Sequence, residues 1–545
     1  MDVNQIWSEY QKGLSYLQSK DLFNRAEECH RFVNGDQWAG LKSGDERPAQ
    51  LNILRPIMKN ATALVGQNAM TINYSCMNYD AKRAEYAKVC EKMNQHASRT
   101  WEKLKMDRYA WQVLEDAYIA GDSIAYFFDG EMKMELIDTT NIMLGDENNP
   151  NIQEQPYILI IQRRYVDEVR AEAKANHIDE ADIESIVPDN ETDGQINGET
   201  EVDNEKKLIS VMRLWKQGGT IHVCRSTKTV MYQPDTEIKG LTLYPIAKYS
   251  WNPEKGTARG LGEIWDKIPN QLSINKNLFR FEAAVKSSAF PHKIYNSNAI
   301  SDEDVKKLSY PDSNIPVDDR MDSGIDKFIR YLQPANISPY AKDIWKDTIE
   351  LTRQLSGAGD NLENINPELA SGAAINAARD AKQLNVNSQV AAYKQWIEDI
   401  ALIWWDMWVA YNPNGLKVTI EGEGNEYEET IPAEILSGLK VDVRIDVSPN
   451  NPFSKYAQEL GLKELFASGA ISFDEYVASL DDDGTMPKGK LQEILDKRKA
   501  VQNNMAARKI MELSQMIQQL QARNQQLEPA AQKLVELSRS EQNVL

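Results

Sequence analysis

LGEIWDKIPNQLSINKNLFRFEAAVKSSAFP, residues 261–291, decides the fold, because it reads as a helix with proline near its start and at its end. Ile264, Ile268 and Leu272 fall four apart, the spacing of one helical face, while Asn270, Asn275, Lys276 and Arg280 supply polar surface. Pro269 lacks an N–H and crowds the preceding turn, so it kinks or restarts the helix, and Pro291 ends it. Residues 292–337 carry Pro311, Pro316 and Pro334 and read as a compact mixed module. Ser338-Pro339 has the form of an N-cap with proline at the first helical position, and Ile344, Thr348, Leu351 and Leu355 then share a face. GAGDNLENINPELASG, residues 357–372, combines glycines, a proline and asparagines and cannot continue that helix, so it is a loop. From Ala373 to about Tyr411 the pattern is helical again, about 58 Å long at the usual rise per residue. Trp396, Ile400, Trp404 and Trp408 are spaced by four, with Ile397, Ala401 and Trp405 on the adjacent face, which predicts a buried strut. Two helices joined through a small excursion, then a loop and one long buried helix, suit a wall that is lined and gripped.

Outward from this stretch, residues 1 to about 115 read as helices around one irregular region, FVNGDQWAG (32–40) and Lys42 to Pro48. Ile53, Ile57, Ala61 and Leu64, and later Trp101, Leu104, Trp111 and Leu114, recur at helical spacing and mark a core face. Short β-type runs follow at Ile124–Phe128, Met134–Ile137, Tyr157–Arg163, Leu208–Trp215, Thr220–Val223, Thr229–Tyr232 and Ile246–Trp251, an α+β domain. Strands return at Leu416–Glu421 and Val441–Val447, where they could pair back with that domain. After Pro449 and Pro452 the chain is helical, and Ile510, Leu513, Ile517, Leu520, Asn524 and Leu527 alternate steps of three and four, a short heptad pattern for packing against a neighbouring helix. The fold class is α+β, mainly helical.

With 545 residues and 41% hydrophobic content the chain can bury several cores. Its net charge of −20 argues against nucleic acid until the distribution is considered. Residues 167–205 hold 14 acidic and 2 basic residues, so −12 of that charge sits in one solvated insertion, whereas residues 488–545 hold 10 basic and 6 acidic, a local +4. Cys29, Cys76, Cys90 and Cys224 form no CxxC pair, which argues against a disulfide framework or a zinc knuckle and fits a reducing compartment. MDVNQIWSEYQKGL lacks the pattern of a secretory signal, and the apolar run Ile400–Tyr411 is shorter than the roughly 20 residues that span a bilayer. No membrane is expected.

Enzyme motifs fail on context. Gly484 to Lys490 has phosphate-loop spacing, but Leu491 replaces the magnesium-binding hydroxyl and no buried strand precedes it. Gly260-Leu261-Gly262 lacks a third glycine, since Trp265 stands in its place. Asp481 to Gly484 suggests a calcium loop until Lys490 appears where the bidentate Glu belongs. Cys29 with His30, and Cys90 with His96, are incomplete ligand sets. No catalytic residue, metal or cofactor is assigned, and no folded nucleic-acid reader is marked. Any DNA contact would be sparse and sequence-independent, as suits a strand that slides.

Three segments resemble the portal proteins of tailed bacteriophages. Phe32-Val-Asn-Gly35-Asp-Gln37-Trp38 with Pro48 and Asn52-Ile-Leu-Arg-Pro56 looks like the family's N-terminal signature. Asp122, Asp138-Thr-Thr-Asn141 and Asp146-Glu-Asn-Asn-Pro150 look like the strand and turn series of its wing, and Gly260–Asn275 and Ser356–Ala378 are similar to the regions flanking its clip and tunnel loop. The likeness runs from about residue 25 to 450. It implies a homo-oligomeric ring, usually a dodecamer, at one capsid vertex of the virion, assembled in the host cytoplasm. The ring would form the channel for DNA packaging and ejection and the docking site for terminase and head-tail adaptor proteins, beside the major capsid or scaffold protein. Carried over, residues 1–260 are the wing, 261–291 and 338–356 the two stem helices, 292–337 the clip, 357–372 the tunnel loop, 373–412 the long helix, 413–451 wing return strands and 452–545 the crown. Asn361, Glu363, Asn364 and Asn366 would face non-specifically held double-stranded DNA, Lys276 and Arg280 the stem lumen, and Ile510, Leu513, Ile517 and Leu520 would pack the crown. The loop lacks Lys and Arg, so it would act by shape and weak polar contact. Two other readings compete: a minor head protein or scaffold that oligomerises through its C-terminal helix, and a nucleotide-using enzyme built on Gly484–Lys490.

Overall fold

Asp2 caps the first helix, α1 (Val3–Ser19), by accepting from the Asn4 amide, and Gly35, in the left-handed region, ends α2 (Leu22–Asn34). In the computed structural model, residues 2–39, 49–77, 83–189, 206–289, 293–295, 300–307, 329–331, 339–357, 384–422, 425–449, 461–480 and scattered positions from 490 to 535 are described. The chain divides into two units, Met1–Ser448 and Pro449–Leu545.

In the first unit, α3 (Leu54–Gly66) buries Ile57 and Ala61 as their spacing predicts. The stretch read as all helix then contains a strand, β1 (Asn68–Cys76), before α4 (Arg83–Lys103) and α5 (Met106–Ala120). On α5 Leu114 is buried, but Trp111, placed by periodicity in the core, is half-exposed against Gly66 at the end of α3.

Two antiparallel sheets follow. β2 (Asp122–Phe128) is central to a three-stranded sheet, flanked by β3 (Lys133–Ile137) and β9 (Ile246–Ser250). The five-stranded sheet has the order β4 (Ile142–Leu144), β5 (Ile158–Tyr165), β6 (Lys207–Gln217), β7 (Thr220–Ser226) and β8 (Gln233–Ile238). Side chains alternate across a strand, so Ile158 and Ile160 enter the main core while Leu159 and Ile161 pack under α1 with Ile6, Tyr10 and Leu14. Burial on both faces explains the unbroken apolar run of β5. The ion pair between Arg213 Nε on β6 and Glu9 Oε2 on α1, at 2.7 Å, locks that layer. The strand expected at Thr229–Tyr232 instead begins at Gln233. Thr227 and Val230 close a tight turn through Thr227 N to Val230 O at 2.7 Å, and Tyr232 turns inward so that its hydroxyl meets Ser210. Within the acidic insertion, α6 (Val166–Ala175) and α7 (Glu180–Ser185) form a small satellite core with Leu208 and Tyr232.

Two short strands, β10 (Asn252–Pro253) and β11 (Gly260–Leu261), lead into α8 (Ile268–Ala289). A single 3-10 turn over Trp265–Lys267 precedes α8, so Pro269 sits in its first turn and restarts the helix rather than kinking it. β12 (Lys293–Tyr295) pairs antiparallel with β13 (Ile329–Tyr331), with α9 (Asp302–Lys307) between them in sequence, and α10 (Pro339–Leu355) returns alongside α8. Pro339 holds the first helical position as expected, while Ser338 lies outside the described residues.

The tryptophan-rich helix, α11, runs Asn387–Tyr411, about 37 Å for its 25 residues. The helical run that the sequence suggested is interrupted just before it, where Asn385 and Val386 form a turn, with Val386 at φ −115° and ψ 11°, and Leu384 ahead of the turn is helical. Val386 holds the cap position, and no side chain bonds the free amides of the first turn. Residues 373–383 lie outside the described residues.

The return strands pair differently from expectation. β14 (Leu416–Gly422) forms a hairpin with β15 (Asn425–Ile431), a strand the sequence reading missed. After α12 (Ala433–Gly438), β16 (Val441–Pro449) pairs with β1, in the segment read as helical. The Met77 amide donates to Lys440 O and Ser75 Oγ to Asp442 O, so the partner number falls as the first rises and the pair is antiparallel. The C-terminal end of the first unit is thereby joined to a strand near residue 70.

In the second unit a capping box between Ser472 and Glu475 starts α13 (Phe473–Ala478), and Tyr476, Val477, Leu480 and Leu495 form its core.

Candidate functional site

The feature that the sequence singled out is the arm formed by α8 and α10. Its root is built into the first unit by a set of amides. Gln271 and Asn275 on α8 are both fully buried, although Asn275 reads from sequence as surface. The Gln271 side chain treats the main chain of residues 51–53 as a strand would: Oε1 accepts from the Ile53 amide at 3.1 Å and Nε2 donates to Leu51 O at 2.7 Å. Asn275 Oδ1 accepts from the Leu51 amide at 3.2 Å and from Gln271 Nε2 at 3.0 Å, and its Nδ2 donates to Gln37 Oε1 at 2.6 Å. Gln37 in turn donates to Phe32 O at 2.9 Å. Every polar atom of these three side chains is satisfied, the condition under which a buried polar network specifies one geometry.

Beside this root the main chain crosses itself closely. A Cβ on Gly121 would stand inside contact distance of Gly260 O, and one on Gly262 inside that of Ile119 O. The Gly-Leu-Gly that fails as a nucleotide loop is thus a packing crossing. Asp122 seals it, accepting from the Gly260 amide at 2.9 Å through Oδ2, with Lys248 Nζ 3.3 Å from Oδ1. Next to it Arg259, buried, donates to both Glu147 carboxylate oxygens at 2.9 and 2.7 Å and to the carbonyls of Thr139 and Ile142 at 2.7 and 2.8 Å. Burial works against its charge, and the Glu147 bond outweighs that and pushes its pKa up. The two turns quoted for their resemblance, 138–141 and 146–150, are therefore tied to the entrance of the arm by one guanidinium.

The arm itself changes character along its length. α8 buries Ile268, Ile274 and Asn275 near the root, whereas Phe279 and Val285 further on are exposed. On α10 Thr352 is buried, yet Leu351 and Leu355 are 57% and 82% exposed and Ile344 is exposed too. The shared face predicted for Ile344, Leu351 and Leu355 exists, but it faces away from this chain's core. The far end of the loop region returns to its start: a Cβ on Gly357 would lie 3.6 Å from Asn385 Nδ2. A cavity of about 310 Å³ at this junction is lined by Asn60, Tyr118, Trp251, Glu263, Gln354 and Gln389, among others.

Behind the junction α11 behaves as the predicted strut. Trp396, Ile400, Trp404 and Trp408 are all buried, with Ile397 and Ala401, while Trp405 is partly covered. Trp404 meets Phe127 and Trp101 edge-on, each at 6.1 Å between ring centroids. Asp406, the acidic residue inside this apolar run, accepts from the Thr242 and Leu243 amides at 2.7 and 2.8 Å and from Thr242 Oγ1 at 2.9 Å, pinning the helix to the loop before β9.

Of the residues assigned to a DNA path, Lys276 and Arg280 are exposed one turn apart on α8. Asn361, Glu363, Asn364 and Asn366 lie outside the described residues, as does Ile510. Leu513, Ile517 and Leu520 are exposed on helical backbone of the second unit. Burial pushes the Cys29 thiol up to about 12 and Cys90 up to about 11 and lowers His30; together with Lys103 and Arg99 it brings His96 down to about 4. These groups are neutral at pH 7, and no cluster of three or more metal-binding side chains occurs among the described residues. No helix among them is long and apolar enough to cross a membrane. The phosphate-loop-like run is outside the described residues except for Lys490.

The family model described as Phage P22-like portal protein matches residues 192–543. It takes in β6 onward, the arm, α11 and the second unit, and leaves out the N-terminal segment and the two turns that also carried the resemblance. No curated protein matches the chain.

Proposed function

The chain belongs to the P22-like portal protein family, a structural component of the phage capsid, and from that premise we propose that it closes into a ring, a dodecamer, whose axial channel passes DNA during packaging and ejection. The observation that carries this reading is the set of exposed apolar side chains on the arm, Phe279 and Val285 on α8 and the stripe Ile344, Leu351 and Leu355 on α10. Nothing among the described residues covers these side chains, and in this reading a second copy does. A face of this kind that meets a different face on the next subunit makes a head-to-tail contact, which closes into a ring when the rotation fits.

In this reading α8 and α10 are the stem, the β12–β13 module at its tip is the clip that meets terminase and later the head-tail adaptors, and residues 357–372 form the tunnel loop, braced by α11. Lys276 and Arg280 face the lumen, where two cations per subunit give a weak, sequence-independent hold on phosphates. Asn361, Glu363, Asn364 and Asn366 grip by shape. Leu513, Ile517 and Leu520 pack the crown with their neighbours, and the major capsid or scaffold protein surrounds the wing. Negative-stain imaging with mass photometry of the purified chain tests the core of this: rings with an axial hole are expected, and rods or monomers at micromolar concentration sink it.

A further inference from the structure

We propose that Gln37, Gln271 and Asn275 form a positioning joint that sets the angle at which the arm leaves the first unit, and through that angle the number of subunits that close the ring. The inference rests on the portal reading. Three observations support it. The amides join segments far apart in sequence, Asn275 to Gln37 across 238 positions, so the joint belongs to no single element and exists only once the arm is seated. They are buried and mutually satisfied, and hydrogen bonds, unlike apolar contacts, have a preferred direction. Beyond them α8 is largely exposed, with Lys276, Phe279 and Arg280 all uncovered, so the joint is the last fixed point before the part of the arm that meets a neighbour. A small rotation at this point is magnified along the arm, and ring closure is sensitive to the rotation between neighbours.

The residues on α8 lie inside the family match and their partners at 37 and 51–53 lie outside it. The arm's direction therefore depends on a segment that the family comparison does not cover.

The test compares the full-length wild-type protein with Asn275→Leu, which keeps the branched shape and heavy-atom count and removes the hydrogen bonds, and with Ile274→Ala, which weakens the neighbouring fully buried apolar position without touching the amides. Gln37→Met is the second joint variant; it leaves α8 intact if Asn275→Leu fails to fold. Subunit number is read by native mass spectrometry and class-averaged images, and thermal midpoint is read alongside. The proposal expects the joint variants to shift the particles to a different subunit number or to open arcs, and Ile274→Ala to lower the midpoint while keeping wild-type rings. Joint variants that lose thermal stability but keep the wild-type subunit number overturn the joint and leave the ring standing. Altered rings in Ile274→Ala as well overturn it too, since any loosening would then suffice. A wild-type protein without rings overturns the portal reading itself, and the joint's role with it.

Discussion

Trp404→Ala is the substitution that most directly tests whether α11 is a strut. Trp404 is completely buried and meets Phe127 on β2, Trp101 on α4 and Trp408 on its own helix, with ring centroids 6.1, 6.1 and 5.9 Å away. Removing such a side chain costs its transfer free energy plus the cavity left behind, about 3–5 kcal/mol. Against a domain stability of roughly 5–15 kcal/mol this is a large share. Trp404→Phe separates packing from polarity. The indole Nε1 is buried and has no hydrogen-bond partner among the described residues. An unpaired buried donor costs about 1–3 kcal/mol, so its removal offsets part of the lost ring volume. Trp404→Phe is expected to cost no more than about 2 kcal/mol. Urea unfolding of the full chain, followed by near-ultraviolet circular dichroism, measures both. A Trp404→Ala loss below about 1 kcal/mol would refute the strut, and equal losses for the two variants would refute the role assigned to the buried donor.

Arg259→Met strands the buried Glu147 carboxylate and two carbonyls, and it should cost about 3–5 kcal/mol by the same unfolding measurement. Leu351→Asp with Leu355→Asp should leave the monomer's thermal midpoint nearly unchanged, since both are exposed, yet block rings in negative stain. Asp116 is pushed up to about 7 by burial and then by Asp138 and Glu115. A raised carboxyl pKa favours the folded state below the ordinary value near 4, and that contribution fades as pH rises through 7. Asp116→Asn should therefore stabilise the protein by about 1–3 kcal/mol at pH 8 and make no gain at pH 4, as read from thermal midpoints across that range. Deleting Gly359 to Ala370 should leave rings intact and impair DNA retention; loss of ring assembly would show that the segment is structural.

The parts of the fold legible in the sequence are those whose signal is local. Trp396, Ile400, Trp404 and Trp408 announce a buried helix face by spacing alone, and the β5 run announces a strand covered on both sides. β1 was legible but missed: Met70, Ile72, Tyr74 and Cys76 alternate with polar residues, and Ile72 and Tyr74 are buried. Its partner, β16, lies over 360 residues away, so only the alternation could have revealed it. The α10 stripe was legible as a shared face and no further, because periodicity shows which residues share a side and not what covers it. Asn275 was not legible at all. An asparagine on a helix beside Lys276 looks solvated, and what buries it is Gln37 and the main chain at Leu51, contacts that exist only in three dimensions.

The glycine crossing at 121, 260 and 262 has a genetic consequence. Any side chain there drives two main chains apart, and no rotamer change relieves a clash with a carbonyl. A screen for conditional mutants should recover temperature-sensitive or null alleles at these three codons, with second-site suppressors rare. Inheritance at the arm's root is then nearly rigid, and variation in the arm has to accumulate away from these three positions.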